Sequence, residues 1–224
     1  MKLIVQIPAW NEETTLPRTL ADLPRRVPGF DCVEWLVIDD GSRDGTVRAA
    51  RAAGADHVLE LGRHQGLAAA FRAGLEASLA LGADVIVNTD ADHQYRGGEV
   101  ALLTGPVVAR AAGMVVGERD PSALRHRALR RLGGEVVRRV SRTAVRDATS
   151  GFRALHADAA RALEVTSTFT YTVETLIRAG RAGIPVLGVP VGVNPPLRPS
   201  RLFASPWAYV GRTGPSIVRL WLRA

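Results

Sequence analysis

Short apolar runs alternate with longer amphipathic stretches along most of the 224-residue chain. Leu3–Ile7, interrupted by Gln6, predicts a first strand that Pro8 ends. Thr14, Thr15 and Pro17 open a helix with Leu16, Leu20 and Leu23 on one stripe. Val33–Ile38 predicts a second strand, followed by a polar turn over 39–45, a helix over Thr46–Ala53 and a third strand at His57–Leu61. An Ala-rich helix, Leu67–Leu81, leads to a fourth strand at Asp84–Val87. Further on, the pattern predicts a helix (Gly98–Ala111), a strand (Met114–Gly117) and a basic helical region. A strand over Ser150–His156, a helix over Tyr171–Ala182 and a strand over Ile184–Val189 follow. Strands separated by helix-length segments predict one α/β domain, a mostly parallel central sheet flanked by helices. No internal repeat or domain boundary interrupts it.

In sheets of that kind ligands lie outside the carboxyl ends of the strands. Three polar clusters fall there: Pro8–Glu12, Asp39–Asp44 and Asp90–Gln94. The third is the most informative. Asp90-Ala91-Asp92 places two carboxylates, one small residue apart, directly after an apolar strand. Paired hard oxygen ligands suit a divalent cation, which can in turn hold a nucleotide diphosphate. Asp-x-Asp alone arises often by chance; its two companion clusters are what give it weight.

Composition narrows the picture. A hydrophobic fraction of 46% fits a packed globular chain. Cys32 is the single cysteine, which excludes an intramolecular disulfide framework or a cysteine-based zinc site and reads as a small buried apolar residue. No apolar run reaches the roughly 18 residues of a membrane span, and Met1-Lys2 opens straight into a strand, so a cytoplasmic protein is expected. The formal net charge is +7, and Lys2 is the only lysine. Eight arginines between Arg125 and Arg146 face one acid, Glu135, which suggests a phosphate-rich partner or an anionic membrane surface; a solvated helix face is the plainer alternative. A nucleic-acid binder is disfavoured, because no aromatic residues interleave with those arginines and the Asp-x-Asp would be left without a role.

Ile7-Pro8-Ala9-Trp10-Asn11-Glu12, Val37-Ile38-Asp39-Asp40-Gly41-Ser42-x-Asp44-Gly45-Thr46, Asp90-Ala91-Asp92-x-Gln94 and Thr149-Ser150-Gly151-Phe152-Arg153 occur in that order. Together they resemble family 2 glycosyltransferases, closest to the dolichyl- and polyprenyl-phosphate sugar synthase branch. The resemblance implies a single GT-A (Rossmann-like) domain over 1–202 and inverting transfer from a UDP- or GDP-sugar with Mg²⁺ or Mn²⁺. It assigns Pro8, Asn11, Glu12, Asp39, Asp40, Asp90 and Ala91 to the nucleotide-sugar, and Asp90, Asp92 and Gln94 to the metal. Arg201, and after it Arg198, fall on a segment that closes over the donor diphosphate. Arg119, Arg131, Ser150 and Arg153 fall on the acceptor side, and Asp147 with Asp92 carries the catalytic assignment. An acceptor phosphate arrives ionised, so Asp147 would orient it; an alcohol would need Asp147 as a base.

Three further residues have plainer readings. Asp44 either joins the nucleotide-binding acids or simply caps the helix at Thr46, His93 is read as an exposed bystander, and Glu174 either contacts acceptor or pairs structurally. His64-Gln65-Gly66 stands where the branch has Asn-x-Gly. The segment 203–224, with Phe203, Trp207, Tyr209 and Trp221 among arginines, predicts either an interfacial amphipathic helix or one docked on the sheet or on a second subunit of a homodimer. The acceptor expected first is a lipid phosphate, with a soluble hydroxyl compound as the alternative. In the first case the enzyme is expected to be peripheral on the cytoplasmic membrane face.

Overall fold

The computed structural model describes residues 1–120, 127–167 and 171–198, the side chains of 127–133 excepted. Strands β1 (Lys2–Ala9), β2 (Cys32–Asp39), β3 (His57–Glu60) and β4 (Val85–Asn88) alternate with helices α1 (Leu16–Asp22), α2 (Thr46–Ala52) and α3 (Leu67–Ala80). A 3₁₀ turn at Gly97–Glu99 leads into α4 (Val100–Val108), then β5 (Met114–Arg119) and α5 (Arg127–Ser141). The described part closes with β6 (Arg153–His156), α6 (Ala157–Ala162), α7 (Thr172–Arg181) and β7 (Val186–Val191). The seven strands form one sheet in the order β3-β2-β1-β4-β6-β5-β7. Only β6 runs against its neighbours, β4 and β5. The expected α/β architecture is therefore present.

Successive residues of a strand point to opposite faces, and here both faces are covered. Leu3, Val5 and Ile7 pack with Leu16, Leu20, Leu103 and Val107 on one side. Ile4, Ile38 and Ile86 pack with Phe71, Leu75, Leu176 and Ile177 on the other. Each buried aliphatic side chain contributes about 1.5–3 kcal/mol, so the two clusters hold the strands rigidly. The loops at their carboxyl ends inherit that rigidity.

Some elements differ from expectation. Pro8 does not end β1, which runs to Ala9. Even-numbered positions of β1 face β4, as the bond from Thr89 N–H to the Gln6 carbonyl shows. Pairing with β4 stops at Gln6–Asn88, so the N–H that proline lacks is not needed at residue 8. Ser150–Phe152 is irregular, following a turn closed by the bond from Ser150 N–H to the Asp147 carbonyl (3.2 Å), and only Arg153–His156 is strand. The short α6 was not expected. Cys32 is exposed, because the first residues of β2 project beyond the packed part of the sheet.

Candidate active site

The first two strand-end loops are knitted together. Asn11, at φ 54°, donates its N–H to Ser42 Oγ (2.8 Å), and its side-chain Oδ1 accepts from Arg43 N–H (2.8 Å). Glu12 N–H donates to Thr46 Oγ1 (2.8 Å). Asp44 accepts from Thr46 N–H (3.0 Å) and its hydroxyl, the capping alternative, and its carboxyl is held below the ordinary range by those bonds despite some burial. Gly41, at φ +71°, lets the next loop approach: a Cβ there would lie 2.4 Å from the Arg63 carbonyl carbon. That approach lets Asp40 accept from Gln65 N–H (2.7 Å) and Gly66 N–H (2.8 Å) and pair with His64 Nδ1 (2.8 Å). Asp40 therefore acts on the 64–66 loop, whose His64 ring stacks on Trp10 at 4.2 Å. Asp39 is different. Its Oδ2 accepts from Ser42 N–H (3.1 Å), while Oδ1 is buried with no partner. An unsatisfied buried acceptor is costly, so a ligand N–H at this corner would be strongly favoured.

The third loop carries the Asp-x-Asp. The Asp90 carboxyl is pushed up to about 7, first by burial and then by Asp92 beside it, although Arg119 and Arg198 pull it down. Burial raises Asp92 in the same direction. Two neighbouring carboxylates that resist ionising together are what a divalent cation relieves, so the residues present fit such an ion. Among the described residues no group of three or more His, Cys, Asp or Glu forms a metal cluster. A cation held here would therefore draw its remaining oxygens from a ligand or from water. Gly151 makes the packing possible, since a Cβ on it would lie 2.6 Å from Asp90 Oδ1 and 3.1 Å from the Tyr171 hydroxyl. Gln94 N–H donates to Asp92 Oδ1 (3.2 Å), and the Gln94 side-chain oxygen faces Arg119 Nη1 at 3.5 Å. His93 is not the exposed bystander expected: it lies at φ 60°, part-buried against Asn194 (3.3 Å) and Asp22 (3.7 Å).

Behind the loop runs a buried polar chain. Gln6 Nε2 donates to Asn88 Oδ1 (2.9 Å), and Asn88 Nδ2 reaches the Gly151 carbonyl and the Tyr171 hydroxyl, both at 2.8 Å. The Tyr95 hydroxyl accepts from Gly151 N–H (2.9 Å), and burial pushes that phenol up to about 12. Gln6, Asn88, Tyr95 and Tyr171 carried no functional signal beyond being polar groups in or beside apolar runs. They fix the turn against which Asp90 is packed.

At the end of β5 Arg119 and Asp147, both expected near the acceptor, form a buried bidentate pair, Nε to Oδ2 at 2.6 Å and Nη2 to Oδ1 at 3.0 Å. Thr149 Oγ1 accepts from Arg119 Nη2 (3.0 Å) and donates to Asp147 Oδ1 (2.9 Å). Arg119 is thus held rigidly, with its Nη1 edge toward Gln94 and the metal pair. Two expected acceptor residues require correction. Arg153 is fully buried and donates to the carbonyls of Ser150, Ala148 and Thr172 and to Thr175 Oγ1, at 2.6–3.0 Å. Ser150 is equally buried, its hydroxyl near Tyr95 and Phe152 N–H. Both build the turn, and neither presents a group to a ligand. Glu174 takes its structural alternative, binding Thr166 N–H (3.0 Å), Ser167 N–H (2.7 Å) and Arg178 Nε (2.9 Å). Arg131 belongs to α5 but its side chain, like Arg201 and the segment 203–224, lies outside the described residues.

Arg198 lies over the donor side, its guanidinium bidentate on Glu12 (Nε to Oε2 3.0 Å) and 3.9 Å from Asp92 Oδ2. Pro8 and Ala91 contribute backbone shape, Pro8 within β1 and Ala91 buried with its carbonyl accepting from Thr19 Oγ1 (3.0 Å). The site thus gathers Asp39, Glu12, Asp90, Asp92, Gln94, Arg198, Arg119 and Asp147 along one edge of the sheet, past the carboxyl ends of β1, β2, β4, β5 and β7 and the amino end of antiparallel β6.

Comparison with known proteins agrees with this geometry. Residues 4–163 match the family described as Glycosyl transferase family 2. An undecaprenyl-phosphate mannosyltransferase of Micrococcus luteus is 31% identical over 206 residues, covering 85% of this chain and 83% of its own. A polyprenol monophosphomannose synthase of Mycolicibacterium smegmatis is 29% identical over 209 residues, covering 85% and 76%. The crystal structure of glucosyl-3-phosphoglycerate synthase from Mycobacterium tuberculosis with Mn²⁺, uridine diphosphate and glucosyl-3-phosphoglycerate superposes with a TM-score of 0.72. It covers 99% of this chain and 79% of its own at 22% identity, a likeness of fold alone that bears out the GT-A architecture.

Proposed function

The chain belongs to glycosyl transferase family 2, and from that premise we propose that it moves a sugar, with inversion, from a nucleoside-diphosphate sugar to a polyprenyl phosphate. Asp39 Oδ1 would accept a base N–H, Glu12 would face the ribose, and Asp90 and Asp92, with Gln94 beside them, would hold Mg²⁺ or Mn²⁺. That cation would offset charge on the departing diphosphate. The rest of the work is placement by the chain's own residues.

The observation that carries the acceptor assignment is the Arg119–Asp147–Thr149 cluster. Both oxygens of Asp147 already accept from Arg119, and one also accepts from Thr149. A carboxylate so engaged is poorly placed to take a proton from an alcohol. A phosphate acceptor needs no base, and a rigid guanidinium beside the metal pair suits its charge. The phosphate oxygen then attacks the anomeric carbon from the face opposite the diphosphate, forming one C–O bond as the other breaks. The two relatives named for lipid-phosphate mannosyl chemistry support the same reading.

The test is nucleoside diphosphate release from UDP- and GDP-sugars with Mn²⁺ or Mg²⁺, with and without undecaprenyl phosphate. Release that requires the lipid phosphate and is lost in Asp92→Asn is expected. Release driven instead by a soluble hydroxyl acceptor, and indifferent to the lipid, would overturn the acceptor assignment.

A further inference from the structure

We infer that helix α1 sets the position of the metal pair, with Thr19 and Asp22 as positioning residues that pin the Asp-x-Asp loop on either side of Asp92. The inference rests on the donor site proposed above and deepens it.

The hydrogen bond to the Asp92 carboxylate comes from within its own loop, from Gln94 N–H (3.2 Å), so where Asp92 sits is decided by where the loop sits. Between those two residues the chain turns at His93 with φ 60°, a conformation seldom adopted without glycine. Backbone of that kind persists only where its surroundings fix it. Helix α1 supplies such surroundings at two points. On one side of Asp92 the buried Thr19 hydroxyl donates to the Ala91 carbonyl (3.0 Å), in preference to the Thr15 carbonyl of its own helix (3.4 Å). On the other side Asp22 Oδ2 accepts from Gly97 N–H (2.7 Å) and lies 3.7 Å from His93 Nε2. The approach is close, because a Cβ on Gly97 would lie 2.3 Å from the Asp22 carbonyl oxygen. A bond from a backbone N–H to a carboxylate is also among the stronger ones available to a loop.

The helix that holds the loop is itself held. Leu16 and Leu20 are fully buried in the core. The first turn of α1 closes on the Glu12 carbonyl through Leu16 N–H (2.9 Å), and Thr15 Oγ1 donates to Glu12 Oε2 (2.6 Å). One short helix therefore carries Glu12 at its start and the metal loop along its side, and fixes how far apart the two stand. Ala91 lies between the two carboxylates, so a shift of its carbonyl moves Asp90 and Asp92 together. Groups that orient metal-binding side chains in this way are worth about 10–100-fold in metal affinity or activity.

The experiment compares the wild type with Thr19→Val, Asp22→Ala and Asp22→Asn. Amide exchange over 91–97 is followed in the metal-free protein by mass spectrometry, and Mn²⁺ affinity by electron paramagnetic resonance of the free ion. UDP and GDP binding is read by calorimetry, and transfer by kcat and acceptor KM. Thr19→Val and Asp22→Ala are expected to speed exchange over 91–97 several-fold and to lower Mn²⁺ affinity and kcat by about tenfold, with acceptor KM near the wild type. Asparagine keeps an acceptor for Gly97 N–H, so Asp22→Asn should restore exchange and affinity most of the way. Exchange and Mn²⁺ affinity unmoved in both Thr19→Val and Asp22→Ala would overturn the inference. So would a loss that Asp22→Asn shares in full, or one that acceptor KM and the thermal midpoint follow, since those mark a general loosening of the fold. A wild type that binds neither Mn²⁺ nor either nucleotide, with exchange over 91–97 changing as expected, would overturn the donor reading and leave the pinning of the loop standing.

Discussion

Asp90 shows how a single side chain trades stability for binding. Its carboxyl stands at about 7 in the folded chain against an ordinary 3.8, with burial the first cause and Asp92 the second. Between those values the folded state holds a proton that the unfolded state has released, so this group's contribution to stability falls as pH rises from about 4 to about 7. The metal-free protein should accordingly lose thermal stability across that window. Asp90→Asn should flatten the loss and raise the midpoint at pH 8, measured by differential scanning calorimetry, while cutting transfer activity by about 100-fold or more. Cation affinity should rise about tenfold per pH unit below 7 as one proton is displaced, readable by Mn²⁺ titration at several pH values. A midpoint that climbs steadily with pH would contradict the assignment. Gly151 makes a companion prediction. Adding a methyl 2.6 Å from Asp90 Oδ1 must move that carboxylate, so Gly151→Ala should cost about 100-fold in kcat through misplacement alone. Full activity in that variant would mean that Asp90 need not sit where it does. At this scale the sequence was legible where chemistry is local: Asp90, Asp92 and Asp39 sit at strand ends and face the site. It was not legible at Arg153, because a Ser-Gly-Phe-Arg run does not say which way a guanidinium turns. Only the tertiary fold surrounds that group with four oxygen acceptors.

The elements hold the two halves of the site to different tolerances. Asp39 and Asp90 follow strands in the middle of the sheet, locked by neighbours on both sides. Asp147 instead follows α5, which packs on α7, and Gly180 marks a tight point of that packing: a Cβ there would lie 1.6 Å from the Ser141 carbonyl at the end of α5. Gly180→Ala must push α7 away from α5, an overpacking that costs about 1–3 kcal/mol. Urea unfolding should show the lowered midpoint. In the folded population nucleoside diphosphate affinity should stay near the wild type, because the donor loops lie on other strands. A donor affinity that collapses with the midpoint would show the two halves to be one mechanical unit. Strand and helix positions were readable from apolar period, since β1, β2 and β4 are short hydrophobic runs buried on both faces. Direction was not readable. Four residues of β6 pair equally well either way in pattern, and a helix such as α5 between two neighbouring strands ordinarily joins parallel ones, so the antiparallel pairing of β6 with β4 and β5 has no local signal. The six-residue α6 is too short for its period to register.

The proposed acceptor makes a demand on the charge distribution of the whole molecule. A polyprenyl phosphate presents its charge at a bilayer surface, and the chain carries a net charge of +7 with eight arginines clustered between 125 and 146. Glu135, the one acid among them, pairs with Arg138 (2.6 Å) and Arg139 (3.3 Å) and leaves the cluster strongly positive. In sequence that stretch runs directly into the turn bearing Asp147, the partner of the proposed acceptor cation Arg119. No helix among the described residues is long and apolar enough to cross a membrane, so contact with a bilayer would have to be made from its surface. Each arginine near an anionic bilayer contributes about 1 kcal/mol, and that attraction is screened within about 10 Å at 0.1 M salt. The protein should therefore float with vesicles containing an anionic lipid at low salt and leave them as salt rises several-fold. Transfer to vesicle-borne undecaprenyl phosphate should fall in parallel, while transfer to the same acceptor dispersed in neutral detergent should not. Parallel losses in both formats would place the salt effect at Arg119 and the reacting phosphate. Undiminished transfer on vesicles that the protein does not bind would reduce the arginine cluster to a solvated helix face.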